Sequence, residues 1–348
     1  MKAALFYRAY EPLKIEETEI PKINDNELLI AVKTCSLCHS DIQFIDHGLE
    51  PGKTPPLILG HEIAGEVSAI GSNVKNFKIG DRVIVPASTS CGNCLACKSW
   101  NETQCEDFKL IGNDIDGGFA EFIKINCNNA INLPYDFSYE LGSLISNDLV
   151  GAYHVVFDRI NIHEGETIVI FGSGAYGLSI LQMAKLKKAK VFVIDIFDWK
   201  LELAKQYGAD GILNSNKADV CEEALIEVIG GKADVIIDTV GVTRTLTQAM
   251  NSLKKGGKLV LGGFSENTLP FLVKRLILNE ISIIGTVGAP KRKIFNIIQY
   301  IQDDRIQWKE MITNRLPLEK INDGIDLLRM QQSIKTVIYP YGVEEKSE

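Results

Sequence analysis

The amino-acid sequence predicts an α/β protein in which a β-rich domain precedes a doubly wound parallel sheet. Short β-branched runs separated by glycines occupy the first 145 or so residues, for example at 28–32 and 66–70. From about Thr167 onward, apolar strands alternate with segments of helical spacing, which is typical of βαβ units. With 348 residues, 45% of them hydrophobic, the chain is long enough to bury two cores.

The charge balance excludes several classes of partner. Lys and Arg total 37 against 45 Asp and Glu, which gives a net charge of −8. An acidic surface of this kind repels polyanions, so nucleic acid and anionic membranes are not expected as partners. The first ten residues become charged too early for a signal peptide, and no apolar run approaches the ~18 residues that span a bilayer. We therefore expect a soluble, cytoplasmic protein.

Four cysteines in one short loop predict a metal site. Their spacing is three, three and eight residues, and they account for half of the eight cysteines in the chain. Such clustering favours a metal over a disulfide framework. Four thiolates close a tetrahedral zinc and leave no position for substrate, so the site is expected to be structural. The predicted ligands are Cys91, Cys94, Cys97 and Cys105.

A glycine motif predicts a dinucleotide site. Gly172-Ser-Gly174-Ala-Tyr-Gly177 follows an apolar strand and opens the next helix. The glycines allow a tight turn, a close approach of backbone to pyrophosphate and close helix–strand packing. Asp195 ends the next strand, where a carboxylate binds the adenosine ribose and repels a 2′-phosphate. This pattern favours NAD over NADP.

Two further segments carry a resemblance to a known family. They are Cys38-His39-Ser40-Asp41 and Gly60-His61-Glu62-Ile-Ala-Gly65, the latter continued by Gly71-Ser-Asn-Val74. Together with the cysteine loop, the Gly172 motif and the closing Ser333-Ile-Lys335-Thr-Val-Ile338, they resemble the zinc-containing medium-chain alcohol and polyol dehydrogenases over essentially the whole chain. The resemblance implies a GroES-like catalytic domain and a Rossmann domain.

Domain boundaries follow from the same resemblance. Residues 1–148 would form the catalytic domain, including a zinc-binding lobe at 88–108. Residues 149–288 would form the NAD-binding Rossmann domain, and residues 289–348 would return to the catalytic domain.

The resemblance also implies a second, catalytic zinc. Cys38 and His61 would be its first two ligands, and Glu62 the neighbouring carboxylate that reaches the metal. Asp41 would accept the other N–H of His61, and Ser40 would take the proton of the alcohol. Zinc acts here as a Lewis acid that lowers the pKa of a bound hydroxyl.

Three cationic residues would contact the cofactor by the same resemblance. His39 and Lys335 would contact the pyrophosphate, and Lys200 the adenosine ribose. The implied activity is hydride transfer between an alcohol, of secondary or polyol type, and NAD. Relatives are usually homodimers or homotetramers, so a homo-oligomer is expected.

The third ligand of the catalytic zinc departs from the family pattern. Counting back from Gly172 places Asn147 at the position of the family's Cys, Asp or Glu. An amide is a poor zinc ligand. Three alternatives stay open for the third ligand. A one-residue shift could present Asp148, the position could be filled by Asn147 or a water, or Glu62 could be a permanent third ligand.

Two more positions differ from many relatives. Gln43 stands where a histidine hands the proton to solvent, so the proton must leave by another route. Ala87 replaces a bulky aromatic of ethanol-type enzymes, which favours a larger alcohol.

Other functions are less consistent with the sequence. Zinc-free reductases of the same superfamily lack the cysteine loop and the pair of Cys38 and His61. The acidic balance opposes a zinc ribbon that binds nucleic acid. A family member with an altered or absent catalytic zinc stays open as the alternative.

Overall fold

The computed structural model describes residues 1–216, 222–269 and 271–343. The chain divides into two compact units. Unit 1 comprises Met1–Val150, Gly288–Ile298 and Trp308–Glu348, and unit 2 comprises Gly151–Val287 and Gln299–Gln307.

The described residues contain the following strands. They are β1 (Lys2–Phe6), β2 (Lys14–Glu17), β3 (Glu27–Ser36), β4 (Leu57–Ile58), β5 (Glu62–Ile70), β6 (Arg82–Val85), β7 (Ser88–Thr89), β8 (Lys109–Leu110), β9 (Phe122–Asn126), β10 (Ile131–Asn132), β11 (Thr167–Phe171), β12 (Lys190–Asp195), β13 (Gly211–Asn214), β14 (Ala233–Asp238), β15 (Leu253–Leu261), β16 (Ser282–Gly285), β17 (Ile312–Pro317) and β18 (Lys335–Tyr339).

The helices follow the same order. They are α1 (His39–His47), α2 (Leu95–Lys98), α3 (Tyr139–Leu144), α4 (Val150–Tyr153), α5 (Ala175–Leu186), α6 (Asp198–Gln206), α7 (Glu222–Ile229), α8 (Thr243–Asn251), α9 (Val273–Asn279), α10 (Lys293–Gln302) and α11 (Ile321–Arg329). Two π-helical stretches, Ile145–Leu149 and His154–Arg159, flank α4. Short 3₁₀ turns lie at Glu102–Gln104, Cys127–Asn129, Lys309–Met311 and Leu318–Lys320.

Unit 1 is built on a seven-stranded sheet in the order β10-β6-β5-β3-β18-β17, with β9 also paired to β3. Its strands are antiparallel except for the parallel pair β17 and β18. Along β3, buried Leu28, Ile30 and Val32 alternate with partly exposed residues. One face of this strand therefore packs into a core that includes Phe119 and Ile63. The β-rich first domain is confirmed.

The register of three strands positions the candidate site. Ser36, the last residue of β3, lies opposite Glu62 of β5 and opposite Val337 of β18. Cys38 follows two residues after Ser36, and Lys335 begins β18. The end of β3 and the beginnings of β5 and β18, which are distant in sequence, thus lie side by side in the sheet.

Unit 2 contains a six-stranded parallel sheet in the order β13-β12-β11-β14-β15-β16. All of its pairs are parallel. The strand order reverses between β11 and β14, and ligands of such sheets bind at the carboxyl ends of the strands at that point. The predicted doubly wound sheet is confirmed. No helix in the described ranges is long and apolar enough to cross a membrane.

Candidate active site and metal centres

Cys38, His61 and Glu62 form a compact cluster of potential ligands in unit 1. The thiol sulfur, an imidazole nitrogen and a carboxylate oxygen all lie within 4.8 Å of one another. Ligands of a tetrahedral zinc, 2.0–2.3 Å from the metal, are about 3.5 Å apart. The donor types are those that zinc prefers, and three protein ligands leave one position open. The cluster therefore fits a catalytic zinc.

Helix α1 orients the first of these residues and its neighbours. It begins directly after Cys38, whose backbone N–H donates to Asp41 Oδ2 at 2.9 Å. Ser40 Oγ lies 3.5 Å from His61 Nε2. Asp41 Oδ1 is 3.8 Å from His61 Nδ1, which is too long for the hydrogen bond that the sequence led us to expect. Asp41 thus acts on His61 through its charge.

The electrostatics of the cluster favour a cation. Burial opposes protonation of His61, but the charges of Cys38, Asp41 and Glu62 raise its pKa to about 10. A rise in the pKa of a buried histidine of this size indicates that negative charge is concentrated around the imidazole. A divalent cation would meet the same field.

The π-helical stretch Ile145–Leu149 carries both residues that the sequence offered as the missing ligand. Asn147 Nδ2 donates to Glu62 Oε1 at 3.0 Å and lies 3.9 Å from Cys38 Sγ. Asp148 lies outside the cluster, since its carboxylate Oδ2 is 2.7 Å from Lys335 Nζ. The extra residue in a π-turn redirects side chains, and such turns are frequent at functional sites.

Lys335 occupies the interior of unit 1. Its Nζ donates to Glu62 Oε1 at 2.8 Å and to Glu62 Oε2 at 2.7 Å, and its side chain is 3% exposed. Burial lowers the pKa of Lys335, but Asp148 and Glu62 outweigh this effect and raise it well above its usual range. The structure places this ammonium between two buried carboxylates, and its predicted contact with the cofactor pyrophosphate stays a prediction. Lys335 begins the otherwise uncharged β18, and a charged residue in a buried strand is the signal of a buried carboxylate partner.

The four cysteines of the lobe converge on one point. Their sulfurs all lie within 4.8 Å of one another. Backbone N–H groups point at two of them, from Cys91 to Cys105 Sγ at 3.3 Å and from Cys94 to Cys91 Sγ at 3.4 Å. Hydrogen bonds from backbone N–H groups lower the pKa of Cys94 to about 6, whereas burial raises that of Cys97 to about 12. A closed set of four thiols fits a structural zinc.

The glycine motif of unit 2 forms a turn between β11 and α5. Gly172 has φ +98°, and a Cβ there would lie 2.4 Å from Thr239 Oγ1. A Cβ at Gly177 would lie 2.0 Å from the carbonyl oxygen of Gly172. Gly174 faces open space, with no atom within 4 Å of its would-be Cβ. The turn leaves room for a pyrophosphate beside the start of α5.

Asp195 ends β12 next to this turn. Its Oδ2 accepts hydrogen bonds from Ser173 N at 2.7 Å and Ser173 Oγ at 2.8 Å. Its Oδ1 accepts from the backbone of Ile196 and Phe197. The carboxylate is thus held at the carboxyl edge of the sheet, where the ribose is expected.

Two other predicted cofactor contacts differ in exposure. Lys200 is buried, with Nζ 5.3 Å from the ring centre of Phe197 and 5.4 Å from that of Trp199. Burial lowers the pKa of Lys200, and the charge of Asp195 opposes this shift. His39 is exposed at the first position of α1.

Comparison with known proteins places this geometry in a family. The alcohol dehydrogenase GroES-like domain matches residues 24–135, and the zinc-binding dehydrogenase domain matches residues 175–303. The sorbitol dehydrogenase of Bacillus subtilis (strain 168) is 34% identical, over 98% of this chain and 97% of the relative. The chain belongs to the zinc-containing medium-chain dehydrogenase family.

Two further relatives agree with this membership. The alcohol dehydrogenase of Geobacillus stearothermophilus is 33% identical, over 94% of this chain and 95% of the relative. The crystal structure of the alcohol dehydrogenase from Aeropyrum pernix superposes with a TM-score of 0.90 at 26% identity, over 98% of this chain and 100% of that chain.

Membership confirms the central expectations from the sequence. This medium-chain dehydrogenase combines a GroES-like domain with a Rossmann domain. It is a zinc-dependent oxidoreductase that transfers hydride between an alcohol or polyol and NAD(P). The alternative with an altered or absent catalytic zinc is not favoured.

The cysteine cluster generates the first prediction. Replacing Cys97 with Ser removes one of four thiolates, so we expect bound zinc to fall by one per chain and the melting temperature to decrease. A structural zinc contributes directly to folding free energy. Metal analysis and calorimetry measure both effects. The exposed neighbour Lys98 provides a control, because Lys98→Ser leaves all four thiols in place. Unchanged zinc content in Cys97→Ser would contradict the assignment.

Proposed function

We propose that this dehydrogenase oxidises a secondary alcohol or polyol with NAD, using Cys38, His61 and Glu62 to hold the catalytic zinc. The observation that carries the proposal is the convergence of these three donors within 4.8 Å. The carboxylate of Glu62 supplies the negative charge of the third ligand, which the neutral amide of Asn147 cannot supply. A thiolate, a carboxylate and a neutral imidazole together balance a dication.

The chain's own residues orient the substrate and move its proton. When bound, zinc supplies Lewis-acid polarisation of a hydroxyl or carbonyl oxygen. Ser40 Oγ, 3.5 Å from His61 Nε2, is the hydroxyl that would accept the alcohol proton while passing its own proton toward the cofactor ribose. Gln43 has no basic atom to hand this proton on to solvent, so its release would proceed through water or another route.

Unit 2 would hold NAD by its glycine turn and by Asp195. The turn at Gly172, Gly174 and Gly177 would carry the pyrophosphate at the start of α5. The carboxylate of Asp195 would accept hydrogen bonds from the ribose hydroxyls and repel a 2′-phosphate. Lys200, buried close to Asp195, would contact the same ribose.

The proposed substrate class rests on the small side chain of Ala87 and on the likeness to a sorbitol dehydrogenase. Ala87 is buried and lines a small cleft together with Asn147, Ser146 and Val150. A methyl group at this position leaves more room than an aromatic ring. The likeness to a sorbitol dehydrogenase supports a polyol-type substrate.

We further propose that the protein is a cytoplasmic homodimer that pairs through the β16 edge of unit 2. In the described residues β16 pairs only with β15, and helix α9 buries none of its side chains. Leu272, Ile277 and Leu278 are each more than 60% exposed. A symmetric strand pairing would complete the edge and cover this apolar surface. Free thiols at all seven described cysteines suit a reducing compartment.

The second prediction tests the catalytic assignment. Replacing Glu62 with Gln removes the anionic donor, so kcat/KM for polyols and secondary alcohols should fall by about 100-fold or more, since even changes around a metal's ligands cost about 10–100-fold. Sorbitol, L-threonine, propan-2-ol and ethanol, assayed by NADH absorbance, define the substrate class. Glu66→Gln, on the exposed part of the same strand, should leave activity unchanged. Full activity in Glu62→Gln, or a preference for ethanol, would overturn the proposal.

The third prediction concerns cofactor choice. Asp195→Asn keeps the shape of the side chain and removes its charge. The ratio of kcat/KM for NADP to that for NAD should rise about tenfold or more, because like charges a few ångströms apart near a surface repel by more than 1 kcal/mol. Asp234→Asn, near the opposite end of the same sheet, is the control. A wild-type enzyme that prefers NADP would contradict the prediction.

The fourth prediction concerns assembly. Ile277→Lys places a charge on the exposed face of α9, and light scattering should record a shift from dimer to monomer. Ile79→Lys, at an exposed loop of unit 1, should stay dimeric. A wild-type protein that is monomeric at micromolar concentration would refute the pairing.

A further inference from the structure

The buried ammonium of Lys335 contacts two buried carboxylates, that of Glu62 in the three-donor cluster and that of Asp148. The side chains of Lys335, Glu62 and Asp148 are 3%, 0% and 4% exposed. Isolated charges are costly to bury, and an ammonium needs only one carboxylate for neutrality. The interior thus contains one more anion than Lys335 requires.

The two carboxylates contact Lys335 differently. Glu62 accepts directional hydrogen bonds from Nζ at both of its oxygens. Asp148 Oδ2 forms an ion pair with Nζ at 2.7 Å, and within the described residues this buried oxygen has no other hydrogen-bond partner. Asp148 is a second acceptor already in place beside Lys335.

The same contacts restrain Glu62. Its Oε1 accepts from both Lys335 and Asn147, and its Oε2 accepts from Lys335. To become a metal ligand Glu62 must give up part of this bonding. If Lys335 had no other partner, the departure of Glu62 would leave a buried, uncompensated ammonium.

We propose that Asp148 is a positioning residue that keeps Lys335 paired, so that Glu62 is released to serve as the third ligand of the catalytic metal. The charges of Cys38, Glu62, Asp148 and Lys335 then form two balanced sets, and Asp41 stays beside His61. Cys38 and Glu62 balance the dication, and Asp148 balances Lys335. Asp148 compensates in this way for the neutral Asn147 of the adjacent position. The inference rests on the proposed function, in which Glu62 is a ligand.

The test is metal affinity, measured independently of turnover. In the full-length protein, Asp148→Asn keeps shape and removes the counter-charge, so Lys335 should retain Glu62. We expect the affinity of the three-donor site for Zn²⁺, measured by chelator competition, to fall about 10–100-fold, the range typical of residues that support metal ligands. Zinc in the four-cysteine lobe should be unaffected. Cobalt(II) substituted at the site should show a changed visible spectrum.

A double variant distinguishes this role from loss of packing. Asp148→Asn combined with Lys335→Met removes the ammonium that captures Glu62, so metal affinity should recover toward that of the wild type. If Asp148 acted only through packing, the second substitution would give no recovery. In a Glu62→Gln background, Asp148→Asn should have no further effect. Asp326→Asn, which removes a carboxylate from an exposed ion pair of unit 1, is the matched control.

The outcomes separate this inference from the proposed function. A wild-type protein that binds one zinc per chain, in the lobe alone, would contradict the proposed function. Two zinc ions per chain in the wild type, with unchanged affinity in Asp148→Asn, would overturn the role of Asp148 and leave the ligand assignment intact. A double variant weaker than Asp148→Asn would also overturn it.

Discussion

The register in which β3 pairs with β5 and β18 is the constraint on which the candidate active site depends. Ser36 lies opposite Glu62 on one side and Val337 on the other. Because side chains alternate along a strand, a slip of one residue would turn Glu62 or Lys335 to the opposite face. The sheet therefore specifies which charges meet, and the loop after β3 then brings Cys38 to them. Backbone pairing thus determines which functional side chains lie close together.

The two metal centres of unit 1 differ in how they are assembled, and this difference explains why one was easy to predict. The lobe takes all its ligands from 15 consecutive residues, Cys91 to Cys105, so spacing alone identifies it. The other cluster joins Cys38 to the neighbouring pair of His61 and Glu62 across two strands. Only the resemblance to a family made that cluster visible in the sequence. The glycine motif of unit 2 was again predictable, since a strand, a turn and a helix follow one another directly.

The third ligand could not be predicted from the sequence for a physical reason. Asn147 and Asp148 lie in a π-helical stretch, where one added residue per turn changes the direction of successive side chains. An ungapped count names the position but gives no information on which side chain faces the metal cluster. The structure aims the amide of Asn147 at Glu62 and the carboxylate of Asp148 at Lys335. The contact of Lys335 with the pyrophosphate stays a prediction, whereas its pairing with Glu62 and Asp148 could not be read from a motif, which gives a residue's place in the chain and not its partners.

The buried charges are better explained by function than by stability. Replacing a buried ion pair with well-packed apolar side chains is often neutral or stabilising, so the pairing of Lys335 with two carboxylates is poor as a device for holding the fold. Burial and the Asp148 charge raise the pKa of Glu62, which means that the interior makes its anionic form less favourable than water does. An anion held at that cost, beside a thiolate and an imidazole, is compensated most fully by a divalent cation. The same concentration of negative charge that makes burial of Glu62 costly is what would give the site its affinity for metal.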